Sequence, residues 1–491
     1  MASTRELGLY ARFSLSRALA GYAPVVVFTA LVRPTPGQLD EATVHRAISV
    51  LLAKYPLLRC SIADSTTSRP RYVHRPSTTP EEVMPLDPTE AFRSSEEALN
   101  AGTAVGVGMD VSQGPLWRVW LDPASDGQEA ANADGRRRIT LAAHHTIADG
   151  TGARNLFAEI LALLYKPEEV PAPVDAFPPT MESTVDTKSP LSMRLQAMYA
   201  SSVAPYLPSF LHTPLPPTFP NPPATPPQFE PHAVKLFSLS PTVLAGLKNT
   251  GKAHGVKTLQ PLLYCATLAA FSTAISDTSD SIPPFTFSGL SPMSERVPSL
   301  GHLNSTGNYV SCHAEKVTLA ALLPQQFWPA CAAYAARLVN PDNRRIARQK
   351  RGMFVMLPDG EYPAEGDKPA RTGWEKEIER ILGTENPWLD TFEVSNLGVL
   401  PATGWEEEGR LEGVYWSQTA SPFRSAFAIG PVCVRGGDLT FSCAYRANAI
   451  PEETASKFWQ AFETLLRRLA KDNVPAEATF ADLNRLAVEA A

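Results

Sequence analysis

The sequence predicts an α/β protein of two similar halves with mixed sheets, and three observations predict it. Strand-like and helix-like stretches alternate irregularly on both sides of the chain, which layers helices on sheets and excludes a doubly wound parallel fold. Prolines, 46 in all, crowd between Lys166 and Pro231, where missing backbone donors and a fixed φ leave extended surface chain joining two folded bodies. Finally, 491 residues with 44% hydrophobic content bury a large core, and at domain sizes of roughly 200 residues they divide in two. The halves expected are 1–165 and 232–491, with 166–231 as the linker.

In the first half, Pro24 to Val32 has the apolar, β-branched run of a buried strand. From Leu39 the residues Val44, Ala47, Ile48, Leu51 and Leu52 recur on one helical face until Pro56 ends the helix. Leu57 to Ile62 is a further strand candidate, Gly114 to Leu121 another, and Arg138 to Ala143 a third. Thr151 to Tyr165 follows as a helix. Within the linker, Leu191 to Phe210 places Met193, Leu195, Met198, Tyr199, Val203, Tyr206 and Leu207 at helical spacing. Such a stripe predicts a helix packed on the body, with a lid or a membrane-surface patch as the alternative.

The second half repeats the theme. Lys235 to Leu239 is strand-like, Pro241 to Ala253 helical, and Leu259 to Ile275 a long apolar helix carrying Leu262, Leu263, Ala266, Ala269 and Ala270. Strands are expected at Pro284 to Leu290 and Leu439 to Tyr445, and a helix from Glu452 to Leu469 with Phe458, Phe462, Leu465 and Leu466 on one face.

Composition narrows the functions. A formal net charge of -6 offers no general basic surface, so nucleic acid is not an expected partner. The six cysteines, Cys60, Cys265, Cys312, Cys331, Cys433 and Cys443, show no Cys-x-x-Cys spacing, which argues against zinc and against a disulfide framework. The polar start and the lack of any long uninterrupted apolar window predict an intracellular, cytoplasmic chain, with peripheral membrane association at most.

The most informative stretch is His144-His145-Thr146-Ile147-Ala148-Asp149-Gly150. It sits where the Arg138 to Ala143 strand stops, so backbone holds an imidazole on one side while a cleft opens on the other. That placement suits a general base reaching a substrate hydroxyl or amine. The competing reading is a pair of satisfied histidines followed by an ordinary Asp-Gly turn.

Taken in order along the chain, further segments join this one: Gly114-Pro115-Leu116-Trp117-Arg118, His254-Gly255-Val256-Lys257-Thr258-Leu259, Gly307-Asn308-Tyr309 and Ser395-Asn396-Leu397-Gly398. Together they resemble the His-x-x-x-Asp acyltransferases of the chloramphenicol acetyltransferase and condensation-domain superfamily, and within it the fungal alcohol acetyltransferases. The Asp-Phe-Gly-Trp-Gly box of the plant branch is not found. Nothing resembles the Gly-x-Asp-Ser-Leu core of a carrier domain either.

The resemblance implies two chloramphenicol-acetyltransferase-like subdomains with a cleft and tunnel between them. It implies direct attack of an alcohol, or an amine, on an acyl-CoA thioester such as acetyl-CoA, with His145 as general base and no bound cofactor, metal or acyl-enzyme. The alternative is a condensation-type enzyme drawing on a carrier-bound acyl group; intact His145 and Asp149 weigh against a noncatalytic scaffold. Asp149 is expected to hold the turn through a salt bridge with Arg296, as an arginine in that segment does in relatives. Gly150 is expected to turn the chain tightly beside the acyl donor, with its amide facing a developing oxyanion. His144, Asn308, Ser395 and Asn396 are expected at the cleft, with packing behind the loop the alternative for His144. Trp117, Phe287, Tyr309, Trp416 and Phe423 are candidates to line the acceptor pocket. A monomer is expected.

Overall fold

The computed structural model describes residues 4–35, 38–84, 92–122, 135–203, 216–220, 232–276, 284–366, 369–384, 387–422, 424–447 and 450–488. In chain order the first half supplies α1 (Leu9–Leu19), β1 (Val25–Val32), α2 (Glu41–Lys54), α3 (Ser95–Val107), β2 (Trp117–Leu121), β3 (Arg137–His144), α4 (Gly150–Tyr165) and α5 (Leu191–Ser202). The second supplies β4 (His232–Leu239), α6 (Pro241–Ala253), α7 (Leu259–Ser276), β5 (Thr286–Ser294), β6 (Val310–Thr318), α8 (Phe327–Val339), α9 (Pro341–Gly352) and α10 (Gly373–Leu382). It continues with β7 (Asp390–Val394), β8 (Leu411–Gln418), β9 (Ser425–Cys433), β10 (Leu439–Arg446), α11 (Glu452–Ala470) and α12 (Phe480–Val488).

Two sheets organise these elements. The first, ordered β8-β1-β3-β2, is antiparallel at every pairing. The second, ordered β4-β10-β9-β7-β5-β6, is mixed: β7 runs parallel to both neighbours and the remaining pairs are antiparallel. β8 belongs by sequence to the second half yet pairs with β1 from Val26–Gln418 to Val32–Leu411. What draws it there is Trp416, wholly buried and stacked on Phe28 with ring centroids 5.8 Å apart, so one half completes the sheet of the other.

Each sheet has its own apolar cover. α4 turns Leu156, Phe157, Ile160, Leu161 and Leu164 toward the first sheet beside α2, the stripe an amphipathic helix buries. α7 is apolar on all sides because it lies wholly inside, between the second sheet and α8, α11 and α12.

Local departures from the periodicity have physical causes. Leu57 and Leu58 belong to a 3-10 turn, Pro56–Arg59, and the strand begins only at Cys60; both leucines are buried together, which alternation in a half-buried strand does not allow. α5 ends at Ser202, and the expected Tyr206 and Leu207 lie outside the described residues. Of its apolar stripe, Leu191, Leu195, Met198 and Tyr199 are exposed, where the spacing predicts burial against the body.

Candidate active site

β3 ends at His144, and the next five residues turn into α4, whose N-cap is Asp149. The cap forms because an aspartate before a helix accepts from an amide of its first turn; here Asp149 Oδ1 accepts from Gly152 N at 2.8 Å. This short connection fixes where both histidines and the aspartate point.

The segment Gly307-Asn308-Tyr309, ahead of β6, docks against that turn. Gly307 N donates to Ile147 O at 2.6 Å and Asp149 N donates to Gly307 O at 3.2 Å. Gly307 has φ 87°, a left-handed backbone that favours glycine, and this lets the strand-like bridge form. It also aims Asn308 at His145.

Asn308 settles the state of His145. Its Nδ2 donates to the carbonyls of His145 and Thr146 at 2.8 and 2.9 Å, so its Oδ1 is the atom 3.0 Å from His145 Nδ1. An amide oxygen only accepts; His145 Nδ1 therefore carries the proton and Nε2 has the lone pair. Burial foremost pushes the His145 imidazole below its ordinary value; Asp149 opposes this, and Arg17 and Arg424 add to the lowering. The ring is neutral and basic at Nε2, the form a general base needs.

The His144 side chain turns the other way. It is fully buried, its Nδ1 lies 2.9 Å from Thr146 Oγ1, and burial brings it down to about 3. It is a neutral packing residue behind the turn.

Asp149 and Arg296 form a two-point ion pair: Nη2 to Oδ1 at 2.8 Å and Nη1 to Oδ2 at 2.9 Å. Both side chains are nearly dry, 3% and 6% exposed. Arg296 Nε also donates to Leu303 O at 3.1 Å and its guanidinium lies over the Tyr309 ring. Burial alone raises the Asp149 carboxyl, but Arg296 and the amides of Tyr309 and Gly152 outweigh it and hold the group below its ordinary range. Asp149 thus ties strand end, helix start and the Asn308 segment together, and all of its polar capacity is spent on doing so.

His145 lines a small cavity of about 10 Å³ whose other walls are Tyr10, Arg17, Glu393, Gln418 and Arg424. Tyr10 lies edge-on to the imidazole, ring centroids 5.2 Å apart. Across from it Glu393 accepts from Gln418 Nε2 at 2.7 Å and from Arg424 Nη2 at 3.1 Å. This space is therefore bounded by residues of both halves. These wall residues were not singled out from the sequence, although a glutamate inside the apolar strand Phe392-Glu393-Val394 is a signal that could have marked one.

Other expected residues lie elsewhere. Gly150 opens α4 without a left-handed backbone and does not line the His145 cavity; a Cβ there meets Leu397 Cδ2 at 3.2 Å, so close packing is what asks for glycine. Asn396 Oδ1 accepts from Gly398 N at 2.9 Å within its own loop, and Ser395 is buried with its amide on Ile429 O; neither lines that cavity. Trp117, Phe287 and Trp416 are core residues, Tyr309 packs on Arg296 and His302, and Phe423 lies outside the described residues. Among the described residues no three His, Cys, Asp or Glu side chains gather as metal ligands, and no helix is long and apolar enough to cross a membrane.

No protein-family model matches the chain. It is 22% identical over 434 residues, 82% of this chain and 81% of the relative, to the probable alcohol acetyltransferase FCK4 of Fusarium pseudograminearum (strain CS3096). Among solved structures it is similar to the condensation domain of the Monacolin K polyketide synthase MokA, with TM-score 0.62 and 12% identity over 98% of this chain and 99% of that one. It is likewise similar to the TRI3 trichothecene 15-O-acetyltransferase of Fusarium sporotrichioides, with TM-score 0.61 and 12% identity over 96% and 95% of the two chains. Both are two-subdomain folds, and this chain shares that architecture throughout.

Proposed function

We propose that this chain, which has the fold of the chloramphenicol acetyltransferase and condensation-domain superfamily, is an acyltransferase that moves an acyl group, acetyl in the first instance, from acyl-CoA to an alcohol. The observation that carries the reading is the neutral His145, its Nδ1 proton on Asn308 and its Nε2 free, in a cavity walled by both halves. The alcohol oxygen attacks the thioester carbonyl as its proton passes to Nε2; the C–S bond then breaks and the same proton goes to the leaving thiolate. Asn308 holds one tautomer through both transfers. Asp149 and Arg296 are positioning residues, and a nucleophilic cysteine is not needed.

The decisive experiment follows free thiol released from acetyl-CoA with a panel of alcohols, for wild type, His145→Ala and Asn308→Ala. Release that vanishes in His145→Ala and falls about 10²-fold or more in Asn308→Ala is the expected result, the usual weight of positioned general-base catalysis. Equal rates in wild type and His145→Ala sink the reading. The likeness to a condensation domain favours one second reading, a donor acyl group carried on a phosphopantetheinyl carrier protein. An acetyl-loaded carrier protein in place of acetyl-CoA separates the two donors.

A further inference from the structure

The space that His145 lines holds little more than a water, about 10 Å³, so the body of any substrate needs room elsewhere. One cavity supplies it, about 410 Å³ between α1, α9, α10 and the second sheet, which is within the usual range of small-molecule sites. Arg424 lines both spaces. The layer between them is thin: Tyr10 faces His145 edge-on at 5.2 Å and carries the guanidinium of Arg351, a wall residue of the larger cavity, 4.1 Å over its ring.

Wall chemistry indicates what fits. Phe13 and Phe354 stack at 4.7 Å, with Trp374, Ile378 and Ile381 beside them, giving flat and bulky apolar surfaces. Of the charged wall residues, Lys350, Arg351, Glu377, Asp390 and Arg424, only Arg424 also borders the His145 space. Arg424 pairs with Glu393 at 3.1 Å, and Asp390 accepts from Ser288 Oγ at 2.6 Å. Most of the wall is apolar, and an uncharged apolar body fills it by burying its own surface.

We infer that this cavity binds a neutral, bulky, ring-containing alcohol with its hydroxyl toward Arg424 and His145, and that this alcohol is the acceptor, an identification that rests on the acyltransferase reading above. Short alcohols leave most of the walls unfilled and are poor ligands.

The test separates binding from chemistry. Borneol, 2-naphthaleneethanol and 1-butanol are titrated calorimetrically into His145→Ala protein and into the same protein carrying Ile381→Trp or, at the exposed rim, Leu389→Trp. The expected result is at least tenfold tighter binding of the two ring alcohols than of 1-butanol, lost at least tenfold in either tryptophan variant whose circular dichroism is unchanged. Ring alcohols that bind no tighter than 1-butanol, or binding that both tryptophan variants leave intact, overturn the inference. Thiol release by the wild type, and by Ile381→Trp and Leu389→Trp made with His145 intact, is read alongside. Tight, tryptophan-sensitive binding without thiol release from acetyl-CoA or acetyl transfer from the loaded carrier protein upholds the pocket and sinks the acyltransferase reading. Release whose kcat/KM the tryptophan variants do not change upholds that reading and sinks the pocket.

Discussion

Replacing Asp149 by asparagine removes one charge from a buried two-point ion pair while keeping the shape of the side chain. Arg296, 6% exposed, then keeps its contacts to Leu303 O and Gly307 O but has lost its counter-charge. Leaving a charge buried without its partner costs about 3–5 kcal/mol. Asparagine still caps α4 through its amide oxygen, but its NH2 then faces the Tyr309 amide that Asp149 Oδ2 accepts from at 2.8 Å, so the upper end of the range is expected; Asp149→Ala adds about 1 kcal/mol for the lost cap. Arg296→Met strands the carboxylate instead and falls in the same range. The double variant Asp149→Asn/Arg296→Met removes both charges and costs no more than either single change, a coupling of about 3–5 kcal/mol. Urea unfolding followed by tryptophan fluorescence measures all four proteins, with free energies taken from midpoints and m-values. Because the pair also holds Asn308 against His145, kcat in the thiol-release assay falls with KM little changed. Single substitutions costing under about 1 kcal/mol, or effects that simply add, refute the argument that this pair organises the turn.

Acid sensitivity is the next expectation. His144 and His232 are brought by burial to about 3 and His145 is lowered as well, while unfolded histidines titrate near about 6.5. Below that pH the unfolded chain takes up protons that the folded one refuses, so stability present at neutral pH is lost as the medium acidifies. The loss is about 1.4 kcal/mol per pH unit per histidine, and urea midpoints at pH 7, 6 and 5 measure it; a flat profile contradicts the buried-neutral assignment. Two glycine substitutions compare contacts with a pinned and with a yielding neighbour. In Gly152→Ala the new Cβ lies 2.7 Å from Arg296 Nη2, an atom pinned by the ion pair. The substitution costs about 1–3 kcal/mol and lowers activity, whereas Gly150→Ala, 3.2 Å from a leucine methyl, stays within about 1 kcal/mol in the same urea assay.

The strand, turn and helix from Arg137 to Tyr165 were legible in the sequence because each follows from local chemistry. An apolar β-branched run makes the strand, Asp149 caps a periodic helix, and the histidine pair falls at the boundary between them. The all-apolar α7 was legible for the same reason. Tertiary structure alone decided the rest. The family resemblance pointed to Arg296 and Asn308, but local chemistry does not bring them to the turn across more than 140 residues of chain; that meeting selects the tautomer of His145 and spends Asp149 on structure. The crossing of β8 into the first sheet depends on Trp416 finding Phe28, which no periodicity encodes. The cavity walls went the same way. Large aromatic residues such as Trp117 and Phe287 minimise exposed surface by entering the core, so residue type marks apolarity but not location. Phe13, Phe354 and Trp374 border a cavity only because α1, α9 and α10 converge there, and burial of apolar surface is indifferent to sequence distance.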